Sequence, residues 1–103
     1  MPGIAVLNGL IYVCGGEIKS QILSSGEAYD PGEDSWREVS SMTVPRCEFG
    51  MCAINNSLYA FGGWVGEDIG GSIEKYDPQN NTWALIAKMP EPRFSMGIIA
   101  YQV

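Results

Sequence analysis

At 103 residues the chain has room for one small domain, and 46% hydrophobic against 17% charged residues is an ordinary globular balance. Residues 1–47 and 48–94 each carry three basic and six acidic side chains, −3 apiece, which argues against a nucleic-acid backbone as partner because that surface calls for a basic stripe. The absence of histidine removes most zinc sites and the commonest general base, and no apolar run approaches the roughly 18 residues that a membrane-spanning helix needs.

The first predicted element is Gly3-Ile-Ala-Val-Leu7, a short apolar run that reads as a buried strand. Asn8-Gly9 follows, a strong hairpin signal because both residue types accept positive φ. Leu10 to Cys14 is the second strand, closed by Gly15-Gly16. Glu17 to Ser25 is polar and reads as a loop. Glu27 to Tyr29 is a short strand stopped by the turn sequence Asp30-Pro31-Gly32, and Ser35 to Val39 is a fourth strand anchored by Trp36. Ser40 to Arg46 is a connection, since Pro45 cannot donate to a ladder.

The plan then repeats. Phe49 to Ile54, Leu58 to Phe61, Ser72 to Tyr76 and Thr82 to Ile86 read as strands, with Gly62-Gly63 and a loop from Trp64 to Gly71 in the middle. Ala87 to Arg93 is the next connection, and Met96 to Tyr101 opens a third copy. Sliding the chain against itself by 47 residues leaves seventeen of 56 pairs identical, where chance composition gives roughly four. The identities include Gly15/Gly62, Gly16/Gly63, Glu27/Glu74, Tyr29/Tyr76, Trp36/Trp83, Pro45/Pro92 and Arg46/Arg93. The units are therefore residues 1–47, 48–94 and the start of a third at 95–103. With no capping unit in view, the chain is expected to be a piece of a larger repeat domain.

The order Tyr-x-x-Gly-Gly, Glu-x-Tyr-Asp-Pro, Trp, Met, Pro-Arg resembles the kelch repeat over essentially the whole chain. The run Gly62 to Gly71 is similar to the BTB-kelch proteins, and within them to the actin-binding group. The resemblance implies an all-β fold: a kelch-type β-propeller fragment of two four-stranded antiparallel blades plus the first strand of a third. It further implies a binding module with no cofactor and no metal. The partner would be a protein target, either actin or a ubiquitination substrate, with cullin-3 recruited only through a BTB region that these residues do not contain. A cytoplasmic, cytoskeleton-associated location fits that picture, as do three cysteines without CxxC spacing, which favour free buried thiols in a reducing compartment. No secretory signal, nucleic acid or membrane is expected. The competing reading is a pair of non-catalytic blades from a secreted enzyme or sugar-binding propeller.

Residues shared by the repeats are expected to build the scaffold. Gly15, Gly16, Gly62 and Gly63 terminate strands beneath bulky neighbours. Tyr29, Trp36, Tyr76 and Trp83 pack between strands and blades, and Arg46 and Arg93 form structural pairs with Glu27 and Glu74. Residues that differ between repeats are the candidates for partner binding: Glu17, Lys19, Glu48, Trp64, Glu67 and Asp68. Trp64 is the sharpest of these, since a loop tryptophan is an enriched interface anchor. The adjacent carboxylates Glu67 and Asp68 lack a third ligand and read as solvated charge.

Overall fold

The computed structural model describes residues 2–47, 49–63 and 71–88, and these fold as two meandering antiparallel sheets. The first contains β1 (Gly3–Leu7), β2 (Leu10–Cys14), β5 (Gly26–Asp30) and β6 (Ser35–Val39), in that spatial order. The second contains β7 (Gly50–Ile54), β8 (Ser57–Phe61), β9 (Ser72–Asp77) and β10 (Thr82–Lys88). A small hairpin of β3 (Glu17–Ile18) and β4 (Gln21–Ile22) projects from the first sheet. There is no helix among the described residues, so the expectation of an all-β fold holds.

Local sequence accounts for the strand boundaries. Asn8-Gly9 and Asn55-Asn56 take φ of 52°, 78°, 48° and 66°, the positive pair that a tight two-residue hairpin demands and that Asn and Gly tolerate. Asp30 and Asp77 cap the outer turns by accepting the backbone N–H two residues on, from Gly32 at 2.9 Å and Gln79 at 3.0 Å. Two features depart from the sequence reading. The polar stretch after Gly16 contains the β3–β4 hairpin, turned by Lys19 and Ser20 at φ 49° and 67°. The last strand runs on to Lys88 because the ladder slips between Leu85 and Ala87, a bulge that adds a residue without breaking the pairing.

Ladder register shows which side chains share a face. Across the second sheet, Ala53, Leu58, Tyr76 and Trp83 form one row and Met51, Ala60, Glu74 and Leu85 the next row on the same face. This face is pressed onto the first sheet, with β1 lying against β7 and β8. The first sheet contributes Leu7, Tyr12, Cys14 and Ala28 from its own inward face. The core is thus a layer between two sheets, assembled from period-two alternation on each strand.

The two tryptophans differ in their surroundings. Trp83 is 9% exposed and packs on Tyr76 with ring centroids 5.1 Å apart, whereas Trp36 is 56% exposed. Trp36 keeps the equivalent ring partner, Tyr29 at 5.0 Å, but its face of the first sheet points away from the second. It is therefore not core within the described residues, although the same motif places it.

Candidate functional site

Among the described residues, the most enclosed polar constellation joins the two repeats. Arg46 and Glu74 are both completely buried and their side chains meet at 3.0 Å. All five N–H donors of the guanidinium are used. Nε reaches Glu74 Oε2 at 3.2 Å, one terminal nitrogen reaches the Gly62 carbonyl at 2.8 Å and the Ser72 carbonyl at 3.1 Å, and the other reaches Ser72 Oγ at 2.6 Å and Glu74 Oε2 at 3.0 Å. Glu74 also accepts the backbone N–H of Thr43 at 2.6 Å and of Val44 at 3.3 Å. Arg46 sits on the connection leaving the first sheet, and its acceptors all belong to the second. The pair therefore forms between Arg46 of one repeat and the glutamate of the next; Glu27 is exposed. Ser72 escaped the sequence reading, although its identity with Ser25 at the 47-residue spacing is the signal that could have found it.

The glycine pairs stand at the ends of β2 and β8 with φ from 67° to 99°. A Cβ on Gly15 would lie 2.5 Å from the Arg46 carbonyl, and one on Gly63 2.4 Å from Phe49 Cβ, so backbone approach as well as positive φ requires glycine here. No helix opens after either pair among the described residues, which leaves no phosphate cradle of the glycine-loop type.

Around this scaffold the loops after Gly15-Gly16 and the inter-repeat connection run side by side. Gly16 N–H donates to the Arg46 carbonyl at 2.8 Å, Arg46 N–H to Leu23 at 3.0 Å and Met42 N–H to Ser24 at 2.8 Å. The resulting ledge exposes Glu17, Ile18, Lys19, Ser20 and Gln21 from the hairpin, and Thr43 and Pro45 from the connection. Glu17 and Lys19, two of the candidate partner-binding residues, thus lie on one surface. Ile18, 60% exposed, belongs with them and was not singled out by sequence, although Val65 gives an apolar residue at the same place in the second repeat. Glu48, Trp64, Glu67, Asp68 and Arg93 lie outside the described residues.

The thiols sit in the scaffold and not on this ledge: Cys14, Cys47 and Cys52 are all buried. Burial, with the charge of Glu74 second, pushes the Cys14 thiol from its ordinary 9.0 up to about 12. The unfolded chain releases this proton near pH 9.0 while the folded chain holds it, so the thiol's contribution is fully present below 9.0 and is lost as pH climbs toward about 12. Urea midpoints measured across that range are expected to fall, and to fall less steeply in Cys14→Ala. Parallel slopes would contradict this assignment.

A family model for the kelch motif matches residues 1–43 and again 45–90. The chain is a kelch-repeat protein. Each match takes in one of the two sheets, and the paired four-stranded kelch motifs fit a fragment of a β-propeller, in which each sheet is a blade. No match is found among curated proteins. Kelch repeats typically mediate protein–protein interaction, and the kelch propeller is generally a non-catalytic fold.

Proposed function

We propose that these kelch blades form part of a target-recognition surface, in a protein that works as a substrate adaptor of a cullin-3 ubiquitin ligase, as an actin-binding protein, or as both. One observation carries the reading. Repeat-identical residues such as Arg46, Glu74, Gly62 and Tyr76 are buried in the scaffold, while Glu17 and Lys19, which the second repeat does not share, are exposed on the ledge beside the inter-blade connection. A scaffold with divergent exposed loops is how repeat proteins separate stability from recognition. The reading places the protein in the cytoplasm.

Trp64, Glu67 and Asp68 follow the second glycine pair, at the spacing where the first repeat has Glu17, Ser20 and Gln21, and we assign them to the same surface. Trp64→Ala is expected to weaken target binding by about 2 kcal/mol or more, the usual hot-spot threshold, and to leave the melting transition nearly unchanged. Side-by-side co-sedimentation of wild type and variant with filamentous actin tests the actin arm. Saturable pelleting that the variant loses supports it; equal pelleting, or a variant that unfolds, removes Trp64 from the site. Should neither protein pellet, capture of ubiquitination substrates from cells treated with a cullin-ligase inhibitor carries the same comparison to the adaptor arm.

A further inference from the structure

A cleft runs along the seam between the two blades, and each blade supplies one of its walls. From the first blade come Arg37 and Val39 on β6, and from the second Tyr76, Pro78 and Asn81 about the β9–β10 turn, around a cavity of about 160 Å³. Ladder register places Arg37 opposite Ala28 and Ala28 opposite Tyr12, so its side chain leaves β6 on the face that meets the second blade. Glu38, next along the strand, leaves on the other face, opposite Glu27. Arg37 is exposed, and its guanidinium makes no ion pair or hydrogen bond among the described residues. Burial raises the Tyr76 hydroxyl above its ordinary pKa of 10.0 and the Arg37 charge opposes that rise, so cation and hydroxyl share the cleft.

Bonds that cross the seam hold the cleft in shape. Asn81 Oδ1 accepts the Ser40 N–H at 2.9 Å and the Tyr76 hydroxyl at 2.7 Å, and the Ser40 carbonyl accepts the Trp83 indole N–H at 2.9 Å. A backbone N–H can only donate, so these bonds fix the oxygen end of the Asn81 amide and leave its nitrogen end unbonded among the described residues. Two donors without acceptors, a guanidinium and an amide, thus line one preshaped cavity beside the apolar surfaces of Val39 and Pro78. The repeats do not share these polar residues. Arg37 gives way to Ala84 and Ser40 to Ala87, and Asn81 stands where the first repeat has Asp34. Scaffold positions recur between repeats and recognition positions differ. We propose that the cavity receives the carboxylate of an acidic side chain from a partner protein.

A carboxylate suits both the donors and the charge. Its two oxygens match the planar fork of a guanidinium, and the methylene stem behind it packs on Val39 and Pro78. Arg37 is the one cation in the walls of this cavity, and Asp30 and Glu33 line a second cavity of about 150 Å³ on its other flank. A phosphate group would bring close to two negative charges to a single cation beside those carboxylates, whereas a carboxylate balances it one to one. On the reading of these blades as a protein-recognition surface, which this contact presupposes, the seam adds a second anchor to the ledge of Glu17 and Lys19.

NMR titration of the full chain tests the cavity without a target, so a failure here leaves the recognition reading standing. The probe is the peptide Gly-Glu-Gly blocked at both ends, with blocked Gly-Gln-Gly and inorganic phosphate as comparison arms. The Arg37 Nε–H and Asn81 side-chain amide signals should shift saturably with the glutamate peptide, at about millimolar Kd, and stay still with the glutamine peptide. Arg37→Gln should weaken the glutamate peptide about tenfold or more with an unchanged melt, since Arg37 is exposed. Asn81→Asp, the residue of the first repeat, should weaken it as well by turning a donor into a repelling charge. The proposal is overturned by no saturable shift, by equal shifts with the glutamine peptide, by tighter binding of phosphate, or by Arg37→Gln binding like wild type.

Discussion

Arg46→Ala is expected to lower stability by about 3–5 kcal/mol, the usual cost of removing one partner from a buried ion pair. The loss is far above that of a surface pair because five hydrogen bonds go at once. Glu74 is left as an uncompensated charge at zero exposure, and the Gly62 and Ser72 carbonyls lose the guanidinium that joins them. Arg46→Lys should recover little, since a single ammonium cannot reach Glu74, Ser72 and Gly62 together. Replacing both partners, Arg46→Met with Glu74→Leu, should be markedly milder than Arg46→Ala, because no charge is then stranded. Urea denaturation of the four proteins reads this directly. A small domain has on the order of 5–15 kcal/mol in total, so Arg46→Ala sits near the limit of folding. A shift under about 1 kcal/mol would mean that the pair is dispensable.

The two tryptophans should behave differently despite occupying the same motif position. Trp83→Ala removes a side chain that packs on Tyr76 and donates its indole N–H to the Ser40 carbonyl at 2.9 Å, so a loss of about 3–5 kcal/mol is expected. Trp36→Ala should cost about 1 kcal/mol or less, mainly its ring contact with Tyr29. Thermal or urea unfolding of the two variants checks the contrast. Equal costs would place Trp36 in a packed environment that its 56% exposure does not provide.

Strands and turns were legible because their signals are local. Asn8-Gly9, Asp30-Pro31 and the glycine pairs each fix a backbone geometry that few other residues adopt, and the 47-residue repetition confirmed each signal with a second copy. The β3–β4 hairpin was missed because Lys19-Ser20 carries none of the usual residues for two positive φ values. Which face of each sheet is covered was not legible either. Alternation identifies two faces but not the neighbour each will meet, so Trp36 and Trp83 read alike and end in different surroundings. The same limit hid the reach of Arg46 across the repeat boundary to Glu74, since recurrence shows that a pair is needed but not which copy supplies each half. Of the candidate binding residues, Glu17 and Lys19 could be picked out because they differ between repeats, while Ile18 hid among apolar residues that read as scaffold.

One face of the first blade is packed on the second blade and the other is bare among the described residues, and the indole N–H groups report on both. Hydrogen exchange of the tryptophan side chains, followed by NMR, separates them. Trp83, bonded to the Ser40 carbonyl, should exchange only as the blades part, while Trp36 should exchange at the rate of a solvated indole. Rapid exchange at Trp83, or equal protection at the two positions, would contradict the packing of one blade on the other described above.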